Sequence, residues 1–405
     1  MAHLLDPSSA LSRGRRDFAP TAQQEQEIMS RWMPSRPRSN FKKMIVAIKF
    51  LWHDGFVNDI DLLKISKLIA QKLNKTIEIV GIEKIGSGYH SDGFKLTAKD
   101  GHNFFLKLVK SHDLGFEIPE RKVMSLLISN GMYHRSNLQP QPIGVILDNG
   151  REAGIIPEVN EDTSIYHVQE FQPDGISYWS LLQEKKSKTK ITEADLAELE
   201  TITDYIIKIH QIGHPSKDID RLKSVYNDGL RSVLINPELA IMLLHDFTDT
   251  HQLLPAREHG NYIGLMLNLI HKWKDRCDRL VALHGDFWGT NLFFKKDGSI
   301  WVIDYSRIPW GDRGIDIGWW LSQYLWFYHE TQNEYFKELG EKFLDMYEKK
   351  SGDKEIRRAV SLALGLMGII YISPRFYPDL NMEIGKKFFY NILEILNVNQ
   401  FVWKK

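Results

Sequence analysis

His284-Gly285-Asp286-Phe287-Trp288-Gly289-Thr290-Asn291, followed by Val302-Ile303-Asp304-Tyr305, is the stretch on which the reading of this chain turns. Asp286 and Asn291 lie five apart on one predicted loop, so they can face a common small volume from its two ends. Between them and Asp304 stand two short apolar stretches, residues 292–294 and 301–303, joined through Lys296-Asp297-Gly298-Ser299. The Asp-Gly pair is a hairpin signal, so the second stretch brings Asp304 back to the loop. Phosphoryl transfer needs a carboxylate that orients an acceptor hydroxyl and takes its proton. It also needs a neutral oxygen ligand and a second carboxylate to hold a divalent cation on the phosphates. Any one of these acids alone reads as a cap or a turn residue; the loop, the hairpin and the returning Asp together do not.

Upstream, the text is that of a small antiparallel sheet. Residues 76–80, 93–97, 103–109, 143–147 and 165–171 read as short strands, most of them set off by glycines and other turn residues. Residues 119–130 read as a helix, with Pro119 in its first turn and Gly131 just past its end. Residues 44–52 and 57–73 are apolar-periodic, the second with Ile65, Leu68, Ile69 and Leu73 at helical spacing. From Gly175 onward the pattern is mainly helical, over residues 193–211, 333–349, 354–372 and 382–397, interrupted only by the two hairpin strands. A ligand is expected in the cleft between the two parts.

Two features of the predicted sheet bear on chemistry. Gly86-Ser87-Gly88-Tyr89-His90-Ser91-Asp92-Gly93 stands between two strands, where glycines let backbone N–H groups approach phosphate oxygens. The same text also suits an ordinary hairpin. The chain has no Gly-x-x-x-x-Gly-Lys-[Ser/Thr], and these glycines do not open a helix, so the two tighter nucleotide motifs are excluded. Lys107 shares a strand face with Phe105 and Val109, either as an edge charge or as a cation aimed into a cleft. Glu117 and Glu120 are the nearby partners. Glu120 is the better placed, because it precedes the Val123, Leu126, Leu127 stripe of the packed face.

The His-Gly-Asp-x4-Asn loop, Asp304, and Gly311-Asp312-Arg313-Gly314-Ile315-Asp316 resemble the aminoglycoside phosphotransferase and choline kinase superfamily. These are small-molecule kinases with a protein-kinase-like fold, and the resemblance spans residues 75–375. It implies an α+β fold of two lobes, a small antiparallel-sheet N-lobe and a large, mainly helical C-lobe (172–405). The N-lobe is expected over 44–171, with a helical extension ahead of the sheet, and the Ser-, Pro-, Arg- and Gln-rich residues 1–43 are expected to form a flexible arm. It implies ATP and Mg²⁺ as cofactors, Asp286 as catalytic base, and Asn291 and Asp304 as metal ligands. Lys107 would contact the α- and β-phosphates, held by Glu120, beneath a loop of Ser87, Gly88, Tyr89, His90 and Ser91. Gln169, Glu170 and Phe171 would be the hinge whose backbone reads adenine. Asp316 would brace the catalytic loop from the start of a buried helix (315–324), and His284 would shape that loop. Trp310 and Trp319 are the tryptophans placed to line an acceptor pocket. The chain departs from the family pattern in one extra residue of the glycine loop and in Arg313, where the family has proline.

Composition narrows the alternatives. Among 405 residues, Lys+Arg and Asp+Glu each number 52, which disfavours a nucleic-acid-coating role. The single cysteine, Cys277, rules out a disulfide framework or a cysteine zinc cluster. No apolar run approaches the roughly 20 residues of a membrane span, and the amino terminus lacks a leader-like apolar core. A soluble cytoplasmic protein acting on a small-molecule hydroxyl is expected. A protein kinase fits less well, because no Ala-Pro-Glu segment and no room for a peptide-docking loop lie between Asp304 and Asp316. A catalytically inactive scaffold would be expected to have lost Lys107, Asp286, Asn291 or Asp304. The near balance of charge after Gln172 disfavours a polycationic aminoglycoside and leaves amino alcohols, sugars and related metabolites. His210 and His214, four apart, read as ordinary core or surface histidines, since no carboxylate is spaced to complete a metal site.

Overall fold

The computed structural model describes residues 60–87, 91–109, 119–136, 140–148, 164–171, 175–234, 239, 242–305 and 307–404. The chain divides into two units, Met1–Asp61 and Leu62–Lys405, and every described element belongs to the second. The arm at 1–43 and the apolar-periodic segment at 44–52 lie outside the described residues.

The N-lobe opens with α1 (Leu62–Leu73), which buries Ile65 and Ile69 one turn apart. The Ser66 hydroxyl of α1 accepts the Ile79 N–H at 3.1 Å, where β1 (Ile79–Ser87) begins. This strand therefore starts and ends later than the 76–80 expected. β2 (Ser91–Ala98), β3 (Asn103–Val109), β4 (Pro142–Asp148) and β5 (Ser164–Glu170) complete an antiparallel sheet in the order β1-β2-β3-β5-β4. Alternation along β3 buries Phe104 and Leu106 on one face and leaves Phe105 and Lys107 half-buried on the other. α2 (Pro119–Ser136) packs on β4 and β5 through Leu126, against Val109 and Ile165. It runs past Gly131, which therefore does not end it, and Leu127 is 54% exposed rather than part of the packed stripe. A helical glycine costs only about 1 kcal/mol, which packing of the rest of the helix overrides.

The C-lobe is mainly helical and more strand-bearing than its periodicity suggested. After β6 (Ile176–Ser177) and α3 (Tyr178–Glu184) come α4 (Glu193–His210), α5 (Ile219–Leu234) and α6 (His259–Trp273). α4 starts at a reciprocal cap: the Thr192 hydroxyl accepts the Asp195 N–H, and the Asp195 carboxylate accepts the Thr192 N–H. β7 (Leu280–Ala282) pairs antiparallel with β10 (Trp310–Asp312), and the Leu283 N–H to Pro309 O bond extends the pairing. The segment 283–309 is therefore a loop closed at its base, and it carries the hairpin of β8 (Leu292–Phe294) and β9 (Ile300–Val302). β6, β7 and β10 were missed because two- or three-residue strands carry no readable alternation.

Helix α7 (Gly314–Thr331) follows β10 directly and is buried from Gly314 to His329, as a helix apolar on all sides should be. α8 (Glu334–Ser351), α9 (Ile356–Ala359), α10 (Ser361–Ile372) and α11 (Met382–Val398) enclose it. The helix expected over 354–372 is thus two, α9 and α10. The close approach of α7 and α10 requires Gly318: a Cβ there would lie 2.8 Å from the Val360 carbonyl oxygen and from the Ala363 Cβ.

Candidate active site

The closed loop 283–309 begins with a turn that only glycine fits. Gly285 has φ +81°, and a Cβ on it would meet Ile308 N and O at 2.6 Å. Asp316, in the first turn of α7 and fully buried, accepts the His284 N–H and the Gly285 N–H at 2.8 Å each. The His284 ring then ties the two arms of the loop together. Its Nδ1 accepts the Asp286 N–H at 3.2 Å, and its Nε2 lies 3.0 Å from the Ile303 carbonyl. Nδ1 accepting and Nε2 donating requires the neutral Nε2–H tautomer. Burial above all depresses the His284 pKa, to about 4, against the raising effect of Asp316 and Asp304.

Asp286, Asn291 and Asp304 are gathered by these contacts. The Asn291 amide N–H₂ donates to Asp286 O at 2.9 Å and reaches Asp286 Oδ2 at 3.3 Å, while Ile303 N–H donates to Asn291 O at 2.9 Å. Gly298 at φ +79° closes the intervening hairpin, with the Ser299 N–H and hydroxyl both on Asp297 Oδ1. Asp304, just beyond β9, has φ +66°, a left-handed conformation that non-glycine residues hold only under constraint. From the N-lobe, Lys107 Nζ reaches Asp304 Oδ1 at 2.9 Å. The sheet and the closed loop therefore meet at one ion pair.

The family model described as the phosphotransferase enzyme family matches residues 81–352. The chain belongs to that family. It is accordingly a small-molecule kinase, a phosphotransferase whose acceptor offers a hydroxyl. Among solved structures, Plasmodium vivax ethanolamine kinase is similar with a TM-score of 0.50 and 11% identity, covering 94% of this chain and 97% of that one. Aminoglycoside phosphotransferase APH(4)-Ia is similar at 0.48 and 14%, covering 83% and 98%. A putative fructosamine-3-kinase from Haemophilus somnus is similar at 0.46 and 15%, covering 82% and 98%. The likeness to the ethanolamine kinase is one of fold. No curated protein matches the chain by sequence.

Other expected positions of the phosphotransferase are placed less uniformly. Ser87 and Ser91 end β1 and begin β2, while Gly88, Tyr89, His90 and the side chains of Ser87 and Glu120 lie outside the described residues. Gln169 and Glu170 close β5, and Phe171 follows it beneath the Lys95 ammonium, 5.4 Å from its ring centroid. The Glu170 N–H donates to Gln141 O at 2.8 Å and the Phe171 N–H to Asn103 O at 3.4 Å, so both N–H groups are engaged within the N-lobe. Trp310 packs edge-on against His214, at 4.8 Å between centroids. Trp319 is buried beneath Arg307, whose guanidinium lies 5.6 Å from its ring centroid.

Sequence reasoning gave no part around the loop to three residues that the structure places against it or beneath it. Arg307 Nε lies 3.3 Å from Asp286 Oδ2, a cation set against the acid of the loop. Its only sequence signal was proximity to Asp304. His210, read as an ordinary histidine, is buried with Nε2 3.1 Å from Asp316 Oδ2 and Nδ1 2.7 Å from the Tyr347 hydroxyl. Arg279, buried at the foot of the loop, pairs with Asp312 at 2.7 and 3.1 Å and with Asp353 at 2.8 and 2.9 Å. The Tyr226 hydroxyl also donates to Asp312 at 2.7 Å. Arg313, the residue that departs from the family pattern, lies 3.9 Å from Asp353 on the same network.

Proposed function

We propose that this enzyme transfers the γ-phosphate of ATP, as its Mg²⁺ complex, to a hydroxyl of a small metabolite such as an amino alcohol or a sugar. The observation that carries this reading is the meeting of Asp286, Asn291 and Asp304 in one closed loop, with Lys107 reaching the last of them from the sheet. Carboxylate and amide oxygens suit Mg²⁺, which takes one or two protein ligands and completes its shell with phosphate oxygens and water. When bound, the cation would neutralise negative charge on the phosphates.

The chain's own residues supply the rest. Asn291 and Asp304 would hold the cation, and Lys107 would turn towards the phosphates. Ser87 to Ser91 would cover them, and a backbone carbonyl of the strand end at Gln169, Glu170 and Phe171 would read the adenine amino group. Asp286 would accept the proton of the attacking hydroxyl. The Arg307 guanidinium lies 3.3 Å from its carboxylate. Between Asp304 and Asp316 the chain is short, with β10 starting at Trp310 and α7 at Gly314, and a span of that length favours a small acceptor over a docked peptide.

ATP consumption with Mg²⁺ across a panel of amino alcohols, sugars, nucleosides and aminoglycosides tests this reading. Wild type is expected to turn over at least one class. Asp286→Asn should bind ATP nearly as wild type does, with kcat for that acceptor at least about 100-fold lower, the usual scale for a general base. Undiminished turnover by the variant would remove Asp286 from the chemistry.

A further inference from the structure

One buried polar atom near the Lys107–Asp304 pair has no role in the scheme above. His167 of β5 stands directly opposite Lys107 of β3 in the antiparallel register, so the two side chains leave the same face of the sheet. From that face Lys107 reaches Asp304. The imidazole is 4% exposed, and its Nε2 meets no hydrogen-bond partner among the described residues. On the same face, the residue opposite it on β4 is the apolar Val145. An aliphatic side chain would serve packing better than a ring nitrogen left without a partner.

We infer that His167 is a positioning residue for Lys107, accepting one of its N–H groups at Nε2 when Asp304 turns to the metal. The inference rests on the nucleotide-site reading given above. An ammonium carries three donors, and in the structure Asp304 takes one of them. Once the Asp304 oxygens are drawn to a cation, a half-buried Lys107 needs a replacement acceptor to stay extended towards the phosphates. A neutral nitrogen provides it without competing for the positive charge, as a second carboxylate would. Burial first, and the neighbouring ammonium second, hold the ring in its neutral form.

Calorimetric titration of the full chain with ATP and Mg²⁺, which needs no knowledge of the acceptor, tests this through a double-mutant cycle. His167→Leu is expected to weaken ATP binding about 10-fold, the scale of a hydrogen bond to a charged group, without lowering Tm. His167→Gln keeps an acceptor at similar reach and should stay within about threefold of wild type. In a Lys107→Met background, His167→Leu should have no further effect. His167→Met serves the same comparison if leucine overpacks the strand. Wild-type affinity in the His167 apolar variants, or an equal loss with and without Lys107, overturns the inference while leaving the nucleotide site in place. Unchanged affinity in Lys107→Met alone overturns the nucleotide reading and this inference with it.

Discussion

Asp316 takes the His284 and Gly285 N–H groups on its two oxygens, adds His210 Nε2 on one of them, and is sealed from water. Each buried donor left unpaired costs about 1–3 kcal/mol. Asp316→Ala should therefore lower stability by a few kcal/mol and reduce kcat through the displaced loop, although the residue would touch neither substrate. Denaturant titration checks this: an unshifted midpoint would mean that the loop holds its shape without the brace. The burial of Asp316 was legible beforehand, because Ile315, Ile317, Gly318, Trp319 and Trp320 around it leave no solvated face. The role of His210 was not, since its partner lies 106 positions away.

Among the elements, the β7–β10 pairing fastens the base of the loop, and Arg279 fastens that pairing to what surrounds it. Its guanidinium binds Asp312 of β10 and Asp353 beyond α8, and Asp312 also accepts the Gly314 N–H at 2.7 Å where α7 begins. Removing one partner of a buried charge network leaves the others uncompensated, at about 3–5 kcal/mol. Arg279→Met, which keeps much of the side-chain volume, should lower Tm by more than any surface-charge change. A variant melting like wild type would show the network to be dispensable. Arg357, in α9, offers the contrast: its pairs with Glu341 and Asp345 are partly solvated, and such pairs are worth at most about 1 kcal/mol.

Across the whole molecule, buried histidines couple folding to acid. Burial first pushes the pKa of His167, His284 and His329 down to about 4, whereas in an unfolded chain each titrates near 6.5. Above that unfolded value both states are neutral and the folded form has its full stability. As pH falls from about 6.5 to about 4, the unfolded chain binds up to three protons that the folded chain refuses at these rings, so stability declines through this window. Tm measured from pH 7.5 to 4.5 should fall steadily, and less steeply by about one proton in His329→Leu. A flat profile would contradict the burial of these rings in their neutral form.

The sequence by itself determined what neighbours within a few residues can encode. The alternation of Asn103–Val109 set β3 to its observed ends, Asp297-Gly298 set the hairpin turn, and the loop spacing placed Asp286 and Asn291 in contact. Tertiary structure alone decided the partners. Lys107 meets Asp304 across 197 positions, and Arg279 meets Asp353 across 74. The continuation of α2 past Gly131 was likewise settled by what the helix packs on rather than by its own text. Periodicity and turn chemistry act through the local backbone, whereas the partner of a charge depends on which distant surface is brought within a few ångströms of it. That depends on the packing of the whole chain.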